Sequence, residues 1–98
     1  MKEGESNIMQ SISLMGKRTV DLDNNVCVII SYFLVEEDKM RPIYGIKVIQ
    51  QYDSRQFLSE YTEPLSYSKD YVVKILHKLI DHNVLISNLI ETVDDLIV

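Results

Sequence analysis

Tryptophan is missing from this chain, cysteine occurs once, proline twice and glycine three times in 98 residues. Each scarcity removes a class of explanation. A single cysteine excludes an intrachain disulfide, and its setting in Val26-Cys27-Val28-Ile29-Ile30 predicts a buried, inert thiol. Three scattered glycines cannot build a backbone cradle for phosphate, and no serine stands in a Gly-x-Ser-x-Gly elbow. No apolar run approaches the ~20 residues that span a bilayer. The opening Met1-Lys2-Glu3-Gly4-Glu5-Ser6-Asn7 is too polar and acidic for a secretory signal, which predicts a cytoplasmic protein.

Cations are also in short supply, with 10 Lys and Arg against 15 Asp and Glu, a net charge of −5. The imbalance is uneven. Residues 1–49 carry six basic and seven acidic side chains, whereas residues 50–98 carry four and eight, or −1 against −4. Nucleic-acid binders need clustered cations to displace counterions from phosphates, and here Lys69, Lys74 and Lys78 are interleaved with Asp70 and Asp81. Neither nucleic acid nor membrane is an expected partner.

What is present is hydrophobic patterning. The 46% apolar and 26% charged fractions are those of a globular domain, and the length suits one domain that folds without metal or disulfide. Residues 1–7 read as a flexible tail and residues 8–98 as the domain. Ile8, Ile12 and Leu14 begin a strand that Gly16 bulges or breaks, and alternation resumes over Lys17 to Leu22, giving a first strand over about 8–22. Asp23-Asn24-Asn25 supplies a tight reversal. Val26 to Glu36 is β-branched and aromatic almost throughout, as in a strand buried on both faces. Past a charged loop, Pro42 starts a strand over about 43–52, with Gly45 a bulge or close approach. A short edge strand over about 56–61 follows, and Pro64 ends the sheet.

The last third changes period. Ser68 is a good N-cap with Asp70 in the first turn, and Val72, Val73, Leu76, Leu79 and Ile80 make an apolar stripe. Asn83 adopts the left-handed stop and Val84 supplies its hydrophobic contact, so this helix covers about 69–82. Ser87 caps a second helix over about 88–97, with Leu89, Val93, Leu96 and Ile97 on one side and Glu91, Asp94 and Asp95 on the other. Strands first and helices last predict an α+β domain: an antiparallel meander of three to four strands with a C-terminal helical hairpin packed on one face.

Chemistry is harder to find. His77 and His82 lie five residues apart, about 500° of helical rotation, so their rings diverge and cannot share an ion. His77 and Asp81 share a face at i, i+4, a spacing more common in surface hydrogen bonds than in catalysis. Glu91, Asp94 and Asp95 form a solvated helix face without oxygen ligands at loop spacing. No catalytic residue, metal ligand or cofactor is expected, and the chain does not read as an enzyme.

Both faces of the strands are apolar. If even positions face the helices, Val20, Leu22, Val26, Val28, Ile30, Tyr32, Leu34, Tyr44, Ile46 and Val48 fill the core. The odd face still holds Cys27, Ile29, Phe33, Val35, Ile43 and Ile49, diluted by Thr19, Ser31 and Lys47. Two helices cannot cover both sides of such a sheet, so residues 8–15, a second copy or another protein must cover this one. Ile29, Phe33, Val35, Ile43 and Ile49 are therefore expected partner-binding residues of a non-enzymatic interaction or regulatory module, including a homodimer. The alternative is a small-molecule cleft at the sheet–helix junction lined by Tyr61, Tyr67 and Tyr71.

Tyr44-Gly45-Ile46, the Ser68 helix, the Asn83-Val84 break, and Leu89 to Ile97 with Val93-Asp94-Asp95 also carry a likeness. Over about residues 26–98 the chain resembles a family of short Clostridia proteins that carries only an unknown-function label. The resemblance implies a cytoplasmic bacterial protein with strands followed by helices, and brings no catalytic or binding residue.

Overall fold

The computed structural model of the chain describes residues 10–22, 26–38, 40–53 and 55–97. Four strands form one antiparallel sheet in sequence order, β1 (Gln10–Leu22), β2 (Val26–Glu37), β3 (Ile43–Gln51) and β4 (Phe57–Tyr61). Helices α1 (Lys69–Asp81) and α2 (Ile86–Leu96) follow and pack on one face of it. The α+β meander read from the sequence is therefore the observed architecture. The expected tail, residues 1–7, and the reversal at Asp23-Asn24-Asn25 lie outside the described residues, although Leu22 and Val26 on either side of that reversal are paired.

Register follows from burial. Val28, Ile30, Tyr32 and Leu34 of β2 and Ile46 and Val48 of β3 sit in one cluster with Val72, Ile75, Leu76 and Leu79 of α1 and Leu89 and Val93 of α2. Even positions thus face the helices, as period-2 alternation demands. Val26 is a correction: it shares that face but is 41% exposed, at the far end of the β1–β2 ribbon. Two helical positions also change. Ile75 is buried, because it is next to Leu76 and one turn from both Val72 and Leu79, whereas Ile97 lies beyond α2 and is exposed.

Local chemistry explains the ends. Ser68 caps α1, its hydroxyl accepting from the Tyr71 amide at 3.2 Å. At the other end Asn83 takes φ 52°, its amide donating to Ile80 and that of Val84 to Leu79, a Schellman closure. Arg18 of β1 then donates through Nε to the Ile80 carbonyl at 3.1 Å, placing a cation at the negative end of the α1 dipole. Tyr32 donates its buried hydroxyl to the Val84 carbonyl at 2.8 Å, fixing the inter-helix turn over the sheet. Desolvation pushes that phenol up to about 12, against the opposing charge of Arg18.

The start of α2 corrects the expected Ser87 cap. The residue at the boundary is Leu85, which has no side chain able to cap, and Ser87 lies inside the first turn. Gln50 of β3 does the work instead: its Oε1 accepts from the Ile86 amide at 2.9 Å while its Nε2 donates to Tyr52 Oη at 2.7 Å. This glutamine is buried with its polar groups paired, which is the condition for its presence in a core.

Candidate functional site

The sheet face turned away from the helices is the candidate site. It is built by β-pairing, because residues paired across antiparallel strands point to the same side. Ile29, Ser31, Phe33 and Val35 of β2 align with Gln51, Ile49, Lys47 and Gly45 of β3, and Phe57, Ser59 and Tyr61 of β4 continue the rows. Thr19 and Lys17 of β1 flank Ile29 and Ser31 on the other side.

The first half of β1 joins this face through a bulge. Leu14 pairs with Phe33 but Gly16 with Tyr32, so one extra residue, Met15, is accommodated between them. That slip reverses the alternation: Val20 and Leu22 face the helices, whereas Ile12 and Leu14, also even, point to the open side. Gly16 lies against α1, since a Cβ built there would lie 2.8 Å from Ile80 Cδ1. Residues 10–14 therefore extend the sheet in its own plane. They enlarge the open face with Ile12 and Leu14, the latter 52% exposed, rather than lying across it.

One corner is closed by the chain itself. After β4, Thr62 exchanges two hydrogen bonds with Ile46, its Oγ1 accepting at 3.0 Å and its amide donating at 2.8 Å. Pairing resumes at the Tyr44–Ser66 bridge, so the sheet does not end at Pro64 as expected from the sequence. Two additional residues, Glu63 and Pro64, are pushed over Gly45, where an added Cβ would meet Thr62 Oγ1 at 3.2 Å and the Glu63 carbonyl oxygen at 3.5 Å. Glycine is needed there for this close approach.

The five expected contact residues thus share one face but not one exposure. Ile29 is 41% exposed, while Phe33, Ile43 and Ile49 are half-buried. Val35, beside Gly45 and Ile12, is 2% exposed and offers no free surface. Ile12, Leu14 and Phe57 belong to the face and were not in the sequence-based set; the bulge glycine was the signal for the first two. Tyr61 is there as well, with Lys47 Nζ 4.8 Å from its ring centroid.

The three tyrosines of the alternative cleft have separate neighbours. Tyr61 lies under Lys47, Tyr67 stacks with Arg41 at 5.4 Å, and the Tyr71 hydroxyl donates to the Ile97 carbonyl at 3.3 Å. A shallow depression is lined by Tyr71, Lys74, Ile75, Lys78 and Leu96, and another by Tyr52, Arg55, Gln56, Phe57 and Leu58. The two depressions hold one of the three rings between them.

Cys27 is a further correction: it is exposed, because its odd position puts it on the open face, at the end of β2 short of the first residue paired with β3. Desolvation by its strand surroundings and then the hydrogen bond and charge of Asp21, its partner across the strands, hold the thiol above its ordinary range, so it stays protonated and weakly nucleophilic. Asp81 approaches Arg18 at 3.9 Å and both histidines are exposed. Among the described residues no three His, Cys, Asp or Glu side chains gather to hold a metal ion, and no helix is long and apolar enough to cross a membrane.

No curated protein and no solved structure matches the chain. A family model does, over residues 11–98, and so takes in the bulged strand as well as the sheet and helices beyond it. On that match the chain belongs to the family of unknown function DUF6514.

Proposed function

We propose that this chain is a non-enzymatic protein-interaction or regulatory module that works in the cytoplasm of a Clostridia-type bacterium and docks a protein on its open sheet face. One observation carries the reading: Ile12, Leu14, Ile29, Phe33, Ile43 and Ile49 lie exposed or half-exposed on a single surface, with residues 10–14 in the sheet beside them. Contiguous apolar surface of this extent marks docking sites in soluble proteins. Two lysines in the strands of that face, Lys17 and Lys47, are too few to follow a phosphate backbone, which favours a protein over nucleic acid. An exposed free thiol fits a reducing compartment. The small-molecule alternative has less support, since Tyr61, Tyr67 and Tyr71 each engage a different neighbour.

A photoreactive amino acid placed at position 29 tests the reading in cells, with the same group at Lys78 on α1 as reference. The expected result is a discrete protein adduct from position 29 and none from position 78. Absence of any adduct at position 29 overturns the proposal.

A further inference from the structure

We infer that the occupant of the open face is a second copy of this chain, the two sheets stacking into a four-layer sandwich with helices outside. The inference rests on the reading of that face as a docking surface. Three features select the occupant.

Width comes first. Four strands at ~4.8 Å spacing give a face roughly 19 Å across, whereas a helix is only about 10 Å wide, so one helix leaves half of the surface wet. A second sheet covers it in a single layer, at ~10 Å separation with the strands roughly aligned.

Area is the next consideration. Strands of 13, 12, 9 and 5 residues, at ~3.4 Å per residue, span roughly 600 Å² in projection, less the corner at Gly45 that Glu63 and Pro64 cover. Side-chain relief brings the accessible surface close to the ~800 Å² per partner of a standard stable interface. The chain is only 18 Å thick along its shortest axis, two layers deep, so a sheet-to-sheet pair builds the interior layer that one copy does not have.

Charge is the third. The strands carry Lys17 and Lys47 on this face, and Asp21 and Glu37 toward its two ends, two cations against two anions. The contact is therefore nearly neutral although the chain is at −5, and Glu91, Asp94 and Asp95 stand on α2, on the opposite side of the sheet. A two-fold axis in the interface plane brings the same patch to itself, the commonest arrangement of homo-oligomers.

Sedimentation equilibrium of the full chain from about 1 to 500 µM tests this, alongside the position-29 adduct. The expected result is a dimer whose dissociation constant rises at least about a hundredfold in Ile29→Lys, since the two-fold buries two uncompensated lysines, with an unchanged circular dichroism spectrum. Phe33 is half-buried and Phe33→Lys risks the fold, so the second measurement uses unmodified protein: isotope-filtered NOEs between the methyls of Ile29 and Ile49 and protons of the other copy. An adduct at twice the 11.4 kDa chain mass supports the same conclusion. A monomer throughout that range, or a dimer indifferent to Ile29→Lys and lacking those NOEs, overturns it. In either case an adduct of another mass at position 29 leaves the docking face standing with a different partner, and no adduct removes both.

Discussion

The two faces of this sheet are made from adjacent residues and end in different states. Ile30 is completely buried under α1 and α2, while Ile29, one peptide away and of the same type, is 41% exposed. Backbone, propensity and side-chain chemistry are the same, so what separates them is the layer above. Hydrophobic burial depends on what covers a side chain, and a strand rich in Val, Ile and Phe announces two greasy faces without saying which one its own chain will cover.

Truncation is the sharpest way to read that contrast. Ile30→Ala is expected to cost about 2–5 kcal/mol by urea unfolding, through lost transfer energy and the cavity left behind. Ile29→Ala, measured at a concentration where the chain is monomeric, is expected to change stability by no more than about 0.5 kcal/mol. Comparable losses at the two sites would show that the open face is already covered within the monomer.

At the corner where the chain crosses that face, Gly45→Val is expected to cost about 1–3 kcal/mol by overpacking. Its branches would enter the space of Thr62 Oγ1, which is held by its bond to the Ile46 amide, and of the Glu63 carbonyl. Thermal unfolding reports the loss, and a variant as stable as the parent would mean that the crossing lifts off without penalty.

Gln50→Leu probes how the covered face is tied to its helices. Removing the acceptor of the Ile86 amide and the partner of Tyr52 is expected to cost about 1–2 kcal/mol and to speed hydrogen exchange in the first turn of α2 more than in α1.

Among the losses expected on the covered face the smallest belongs to Tyr32→Phe, about 1 kcal/mol at neutral pH from the lost bond to Val84. Its pH dependence is more telling. The folded phenol ionises at about 12 against an ordinary value of 10.0, so its contribution is fully present below pH 10 and is lost as pH rises toward 12. The phenylalanine variant lacks this alkaline loss, which over two pH units exceeds the neutral-pH difference of about 1 kcal/mol, so the two stability curves should converge and cross between pH 10 and 12. Parallel curves across that window would mean that the phenol is not desolvated in the native state.

Most of the architecture could be read in advance because it depends on local signals. The period-2 runs, the Ser68 cap and the Asn83-Val84 stop each act within a few residues, and the structure has strands and helix ends where they direct. What escaped the sequence reading depends on distant partners. The cap of α2 comes from Gln50, 36 positions earlier, so no inspection of residues 85–88 would find it. The opposite orientations of Leu14 and Val20 follow from one bulged residue, and Gly16 signalled an irregularity without stating that it would turn Ile12 and Leu14 outward. Cys27 looked like a core residue because its neighbours are apolar, yet its odd position puts it on the face that the helices leave uncovered.

The borrowed start of α2 has a consequence for assembly of the fold. Eleven residues without a cap of their own fall short of the ~12–15 at which an isolated helix begins to hold in water. Ordering of the C-terminus must therefore wait until the third strand is in place and presents its amide side chain. A peptide cut from residues 84–98 should be coil, and become helical only when a sheet is there to receive it.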